Sequence, residues 1–130
     1  MSTEAAVREY LRSRTGLMGL LNNDPKRLNM EWTGDARASR VNLYRAGGSQ
    51  DSYVPIETAI ITFHCYGTTR PAAADLADAV ALEMRRVRTS PDSPLRSARV
   101  ESLNWLPTSD GVARYVVTTV VTSMIPVLVA

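Results

Sequence analysis

The chain has one cysteine, one histidine, one lysine and one phenylalanine among its 130 residues, and it has no long hydrophobic run. A single cysteine, Cys65, excludes an intrachain disulfide and fits a protein that is made in a reducing compartment. One histidine and one cysteine are too few to build a zinc site without several carboxylates. The longest apolar tract is shorter than the about 20 residues that span a bilayer as a helix. We therefore expect no metal, no membrane contact and, from the polar first residues, no signal peptide.

The chain also lacks a large excess of positive or negative charge. Lys and Arg number 15 against 13 Asp and Glu, which leaves a net charge of +2, too small to indicate nucleic-acid binding. The 45% hydrophobic and 22% charged content is ordinary for a globular protein, and the length predicts one domain, residues 1–130. A local basic excess is interpreted as helix-end charge and a solvated linker, with contact to an anionic partner as the alternative. It comprises Arg85, Arg86, Arg88, Arg96 and Arg99.

The first half of the chain predicts one helix and three extended segments. Thr3 is a suitable cap for a helix over 3–13, because Glu4 in the first turn complements the helix dipole. A looser turn then leads to Leu21 and stops before Pro25. Extended segments are predicted at 27–33, 39–46 and about 57–66.

The second half predicts a long helix and a hairpin. Pro71 suits the first turn of a helix over 71–88. Strands over 97–106 and 112–125 are joined by a turn that contains the favoured Asp-Gly pair, with a bulge near Ser102. The order of elements predicts an α+β fold: a mostly antiparallel sheet of four to five strands with two helices packed on one face.

Charged residues are absent from 58–69 and 115–130. A sheet with one wet face should alternate polar and apolar residues, and these strands do not. Either the sheet curls over itself or a second subunit packs on the face that the helices leave free. Ile60, His64 and Tyr66 share one face of their strand and are the candidate interface residues.

The residues do not predict catalysis. His64 and Cys65 are neighbours in a strand and point to opposite faces, so they cannot act as a base and nucleophile pair. Asp75 and Asp78 lie near a helix start, where acidic residues serve the helix dipole. Gly47 and Gly48 are not followed by a phosphate-binding pattern. We expect no enzyme activity and no cofactor.

The arrangement resembles the tail terminator proteins (tail completion or minor tail proteins) of long-tailed bacteriophages. The resemblance covers about residues 3–125 and rests on the order, length and texture of the elements. It is carried by the helix at 7–11, the strand and glycines at 41–48, the aromatic-Gly step at 63–67, the alanine-rich helix at 72–80 and the strand at 113–117.

This resemblance implies a structural virion protein of the tail and neck, made in the host cytoplasm. Such proteins form a hexameric ring on the tail tube, stop tube polymerisation and present the surface that joins the head. The implied partners are other copies of the chain, the tail tube protein and a head-completion or connector protein. Phage DNA passes through the channel without sequence-specific binding. The alternatives are a neighbouring neck protein (head-completion or stopper) and a small ligand-binding α+β domain.

Two further segments are candidates for assembly contacts. The segment Gly47, Gly48, Ser49, Gln50, Asp51 and Ser52 has the composition of a loop that is mobile in the free subunit and ordered on assembly, with an ordinary hairpin connection as the alternative. The last residues include Val127, Leu128 and Val129, an unusual composition for a free end. We expect this apolar segment to dock on a neighbouring subunit of a ring rather than on its own domain.

Overall fold

The computed structural model of the chain describes residues 2–50, 55–89 and 91–124. Its helices are α1 (Thr3–Arg12), α2 (Thr15–Leu20) and α3 (Arg70–Arg85), with a 3-10 turn at Pro25–Arg27. Its strands are β1 (Leu28–Asn29), β2 (Arg40–Gln50), β3 (Ile56–Gly67), β4 (Leu95–Trp105) and β5 (Ala113–Met124).

The five strands form one sheet in the order β1-β2-β3-β5-β4. β1 runs parallel to β2, and the other neighbouring pairs are antiparallel. The predicted α+β class and mostly antiparallel sheet are confirmed. The predicted hairpin is β4–β5, and the predicted bulge is the register shift between Val100 and Ser102. Gly111 in its turn has a φ of 86°, which explains the glycine there.

The core lies between the helices and one face of the sheet. In β3 the alternate residues Ala59, Ile61, Phe63 and Cys65 are completely buried. They pack in one cluster with residues of all three helices, such as Leu76 of α3. β2 and β5 also alternate buried and more exposed residues, so the helices pack against a single face of the sheet. None of the helices in the described part of the chain is long and apolar enough to cross a membrane.

The residue that caps the start of α1 is not the one that the sequence predicts. Ser2, not Thr3, caps α1: its side chain accepts a hydrogen bond from the amide of Ala5 at 3.2 Å. Thr3 instead turns inward and is buried. At α3 the expectation is confirmed, since Thr69 accepts from the amide of Ala72 at 3.3 Å and Pro71 lies in the first turn.

Several predicted bounds are wrong. The segment to Leu21 contains a third helix, α2, where a looser turn was expected, because Leu17 and Met18 bury against the core. The extended segment at 27–33 contains only the two-residue β1. The helix predicted over 71–88 ends at Arg85, since Val87 already leaves the helix to join the core.

The largest correction concerns residues 46–50, which are not a loop. β2 continues to Gln50, and Gly47 pairs with Ile60 after a bulge at Ala46. At Gly48 a Cβ atom would lie 2.2 Å from the carbonyl oxygen of Thr58, and φ is 140°. Gly48 therefore allows β2 and β3 to approach closely, which is a different use of glycine from the predicted flexibility.

Candidate assembly surface

The face of the sheet opposite the helices is not covered by any described element. We call it the open face. Strand register aligns its side chains in rows, because directly paired residues of neighbouring strands point to the same side. Its central rows join Ile60 with Val120, Thr62 with Thr118, and His64 with Val116.

The open face carries partly exposed apolar side chains around a central pair of threonines, Thr62 and Thr118. Ile60 is 36% exposed and Tyr44 is 44% exposed, both large side chains in contact with solvent. On β5, Val120 opposite Ile60 and Val116 opposite His64 are partly exposed. The exposure is thus shared by residues of three strands, although Thr62 in the central row is buried. An apolar surface of this kind is typical of a partner site.

A histidine between two tyrosines forms the polar part of the open face. The hydroxyl of Tyr44 lies 3.2 Å from Nε2 of His64, and the hydroxyl of Tyr66 lies 3.5 Å from Nδ1. The rings meet edge to face, with centroids 5.2 Å and 6.2 Å apart. Burial, and secondarily the charge of Arg114, lowers the pKa of His64. A neutral, hydrogen-bonded imidazole suits a contact surface, because it carries no charge that a partner would have to desolvate.

Two arginines stack on aromatic rings at the end where β3 finishes: Arg40 on the open face, and Arg70 on the helix side of the sheet, where Tyr115 and Trp105 are in register with the buried Cys65. The guanidinium of Arg40 lies 3.7 Å from the ring centroid of Tyr66, and that of Arg70 lies 4.5 Å from Trp105. Nε of Arg70 also donates to the hydroxyl of Tyr115 at 3.2 Å. Desolvation lowers the pKa of Arg40, which is buried among carbonyl acceptors. The contact of Arg40 with Tyr66 therefore holds a border residue of the open face, whereas the contacts of Arg70 attach the start of α3 to the core side of the sheet.

At the opposite end of the sheet, a buried carboxylate joins α1 to the strands on the core side. Glu57 accepts a hydrogen bond from Thr3 at 2.7 Å and one from Gln50 at 3.0 Å, and it pairs with Arg45. Thr3 also shares a 2.7 Å hydrogen bond with Ser123. The hydrogen bond from Gln50, then that from Thr3, and the charge of Arg45 lower the pKa of Glu57. All polar atoms are satisfied within the fold, so this cluster is a structural junction.

The predicted interface residues divide into two groups. Ile60, His64 and Tyr66 share the open face, as the alternation in the strand predicts. Val127, Leu128 and Val129 lie outside the described residues, as do Asp51 and Ser52 of the predicted assembly segment. Its other members, from Gly47 to Gln50, lie in β2 beside the start of β3. Their role in assembly stays a prediction.

Sequence reasoning missed Tyr44 and Glu57 as members of these clusters. Tyr44 follows Leu43 in β2, so simple alternation places it opposite the core, and its distance from His64 along the chain hides the contact. Glu57 begins the extended segment predicted at about 57–66, and its local sequence does not indicate its partners. The pairing of β2 with β3 brings Tyr44 close to His64, and the packing of α1 brings Thr3 close to Glu57.

The only histidine and the only cysteine of the sequence lie on opposite sides of the sheet. Cys65 is buried on the core side, where burial raises the pKa of its thiol, while His64 faces the other way. No group of three or more His, Cys, Asp or Glu residues in residues 2–50, 55–89 and 91–124 is placed to hold a metal ion.

Comparisons by sequence identify no relative: no protein-family model matches the chain, and no curated protein matches it. Comparison by structure does find similar chains. One belongs to a structure described as "Virion of native gene transfer agent (GTA) particle". The two share 14% sequence identity, superpose with a TM-score of 0.70, and cover 95% of each chain. The chain is thus similar in fold, over nearly its whole length, to a protein found in a virion.

Proposed function

We propose that the protein is a structural component of a phage-like virion and that it acts as a tail terminator. Several copies form a ring, hexameric in this proposal, on the end of the tail tube. The ring ends tube polymerisation and presents the surface to which a head-completion or connector protein binds. The protein is no enzyme and needs no cofactor, and phage DNA passes through the ring without sequence-specific contacts.

The observation that carries this proposal is the shared fold with a virion chain over 95% of both chains. The order of elements along the sequence supports the terminator role within a virion, through the resemblance to phage tail terminators. The location proposed is therefore the neck of the virion, reached after assembly in the host cytoplasm.

The open face supplies a physical reason for the ring. A cyclic ring uses two different patches of each subunit, and each contact buries one patch against the next subunit. Ile60, Val116 and Val120 are apolar and partly exposed on this face. Covering them contributes about 25 cal/mol for each Å² of apolar surface removed from water. We propose that this face is one of the two patches.

The test compares two matched substitutions. Ile60→Glu places a charge on the open face, and Leu82→Glu places the same charge on α3, where Leu82 is 46% exposed on the other side of the molecule. Both proteins should fold with unchanged circular dichroism. Ring formation, followed by light scattering and negative-stain microscopy with and without tail tubes, should be lost only in Ile60→Glu.

The outcomes separate the candidate functions. Rings seated on tube ends support a terminator, whereas rings that bind only portal assemblies identify a neighbouring neck protein. A protein that remains monomeric with tubes and portals contradicts the virion role and favours a ligand-binding domain. Unfolding of Ile60→Glu would show that Ile60 belongs to the intramolecular core, and equal assembly of both variants would exclude the open face as a contact.

A further inference from the structure

A groove of about 400 Å³ lies between α1 and the segment that joins α3 to β4. Its volume is within the range of sites that bind small molecules or side chains. One wall is a single face of α1, since its residues are spaced four and three apart along the helix. The main lining residues are Ala6, Tyr10, Ser13, Val87, Pro94 and Leu95.

The groove is apolar inside and charged at its rim. Ala6, Val87 and Leu95 line the groove and are buried hydrophobic residues. Glu9 and Arg88 lie at the border and are exposed. An occupant with small aliphatic side chains fits this pattern, because it would bury apolar surface without desolvating the charged groups.

The described part of β5 ends beside one end of this groove. The amide of Met124, the last described residue of β5, donates to the carbonyl oxygen of Pro94 at 2.8 Å. Pro94 is itself part of the groove wall. The side chain of the neighbouring Ser123 shares a hydrogen bond with that of Thr3 at the start of α1. The residues after Met124 therefore start where α1 and the groove wall meet.

We propose that the groove is the docking site for Val127, Leu128 and Val129 of the same chain. The helix axis rises about 15 Å over the ten residue steps from Thr3 to Ser13. Five extended residues after Met124 span about 17 Å, so the segment reaches the far end of the groove. Pro126 cannot donate to a ladder hydrogen bond, which favours departure from the sheet at this point.

This assignment differs from the expectation that the segment docks on a neighbouring subunit. A segment already tethered at Pro94 has a high effective concentration at the groove, whereas a second copy must first associate. The open face is on the other side of the sheet from α1 and stays free for assembly contacts. The proposal is thus independent of the ring and of the proposed function.

Disulfide trapping tests the proposal. Ser13→Cys at the far end of the groove is combined with Val129→Cys, and the control combines Arg8→Cys with Val129→Cys. Arg8 lies on a different face of α1, where it donates to Asn29 at 3.2 Å. Cys65 stays in place because its thiol is buried.

Under mild oxidation at low protein concentration, we expect an intrachain disulfide in the Ser13 pair. It should form at least about tenfold faster than in the Arg8 pair, at a rate independent of concentration, as a tethered segment requires. The product is read as a mobility change at the mass of one chain on a non-reducing gel. Should Ser13→Cys not fold by circular dichroism, Glu9→Cys on the same wall replaces it.

Two results overturn the proposal. Equal rates for the Ser13 and Arg8 pairs would show that the segment does not reside in the groove. Covalent dimers or larger species as the main product, rising with concentration, would show that the groove binds the segment of a second copy. Loss of ring formation in Ile60→Glu would affect neither result, so failure of this proposal and failure of the proposed function are distinguishable.

Discussion

Val116 and Val117 are neighbours in β5 with the same side chain, and they lie in opposite environments. Val117 is completely buried under the helices, whereas Val116 is partly exposed on the open face. The strand itself is apolar on both faces, so its composition does not tell which side is the core. The attachment of α1 and α3 decides this, and the second face keeps its apolar residues without an intramolecular cover.

The strongest test of this comparison places one charge on each face. Val117→Asp puts a carboxylate into the core without a partner, and we expect a loss of stability of about 4 kcal/mol or more, enough to prevent folding. Val116→Asp should change the free energy of unfolding by about 0.5–1 kcal/mol, as at other partly exposed sites. Urea unfolding followed by circular dichroism measures both. Similar losses in the two variants would contradict the assignment of a core face and an open face.

A second test concerns the backbone on which both faces depend. Gly48→Ala introduces a Cβ against the backbone of β3 at a positive φ, and we expect a loss of about 1–3 kcal/mol. Gly16→Ala in α2 is the matched control, because a Cβ there has no neighbour within 4 Å. It should stabilise the protein by about 0.4–1 kcal/mol. If residues 46–50 were a free loop, Gly48→Ala would be neutral instead.

The polar cluster on the core side should make stability depend on pH. The pKa of Glu57 is lowered in the native protein, so the unfolded chain binds more protons near its ordinary pKa of 4.5. The contribution is present above that value and is lost as the pH falls through the native pKa. Glu57→Gln should cost about 1–3 kcal/mol at neutral pH and flatten this acid dependence. Unfolding midpoints measured at several pH values check the prediction, and an unchanged slope would contradict it.

The polar cluster on the open face should contribute less. Tyr44→Phe removes the hydroxyl beside His64, and we expect a loss of about 0.5–1.5 kcal/mol because the site is half exposed and water can replace the bond. The lowered pKa of His64 also means that acidification below its ordinary pKa of 6.5 weakens the fold. Nuclear magnetic resonance titration of the imidazole in both proteins measures the native pKa. A native pKa above 6.5 would contradict the burial of His64.

Local patterns in the sequence predicted the elements that form local contacts. The Asp-Gly turn of the β4–β5 hairpin and Pro71 at the start of α3 act within a few residues, and both predictions are confirmed. The extension of β2 to Gln50 was missed because its partners belong to β3, and glycine composition alone favours a loop. The buried role of Glu57 was missed because Thr3, its partner, is 54 residues away.

The candidate surface was predictable only in part. Alternation placed Ile60, His64 and Tyr66 on one face, which requires nothing beyond the period of a strand. It did not reveal that Tyr44 and Val116 complete that face, since strand order β2-β3-β5 is set by the whole sheet. The groove beside α1 has no sequence signature, because its walls come from segments about 80 residues apart.

β4 determines how the sheet can and cannot grow. It is the last strand on its side, with an outer edge of backbone groups that could template another chain. Two register shifts interrupt this edge, and Arg99 and Glu101 form an exposed ion pair beside the second shift. A kinked, charged edge does not accept a straight incoming strand. The edge at β4 is therefore protected against the addition of a further strand, which lowers the tendency of the sheet to polymerise into fibrils from this side.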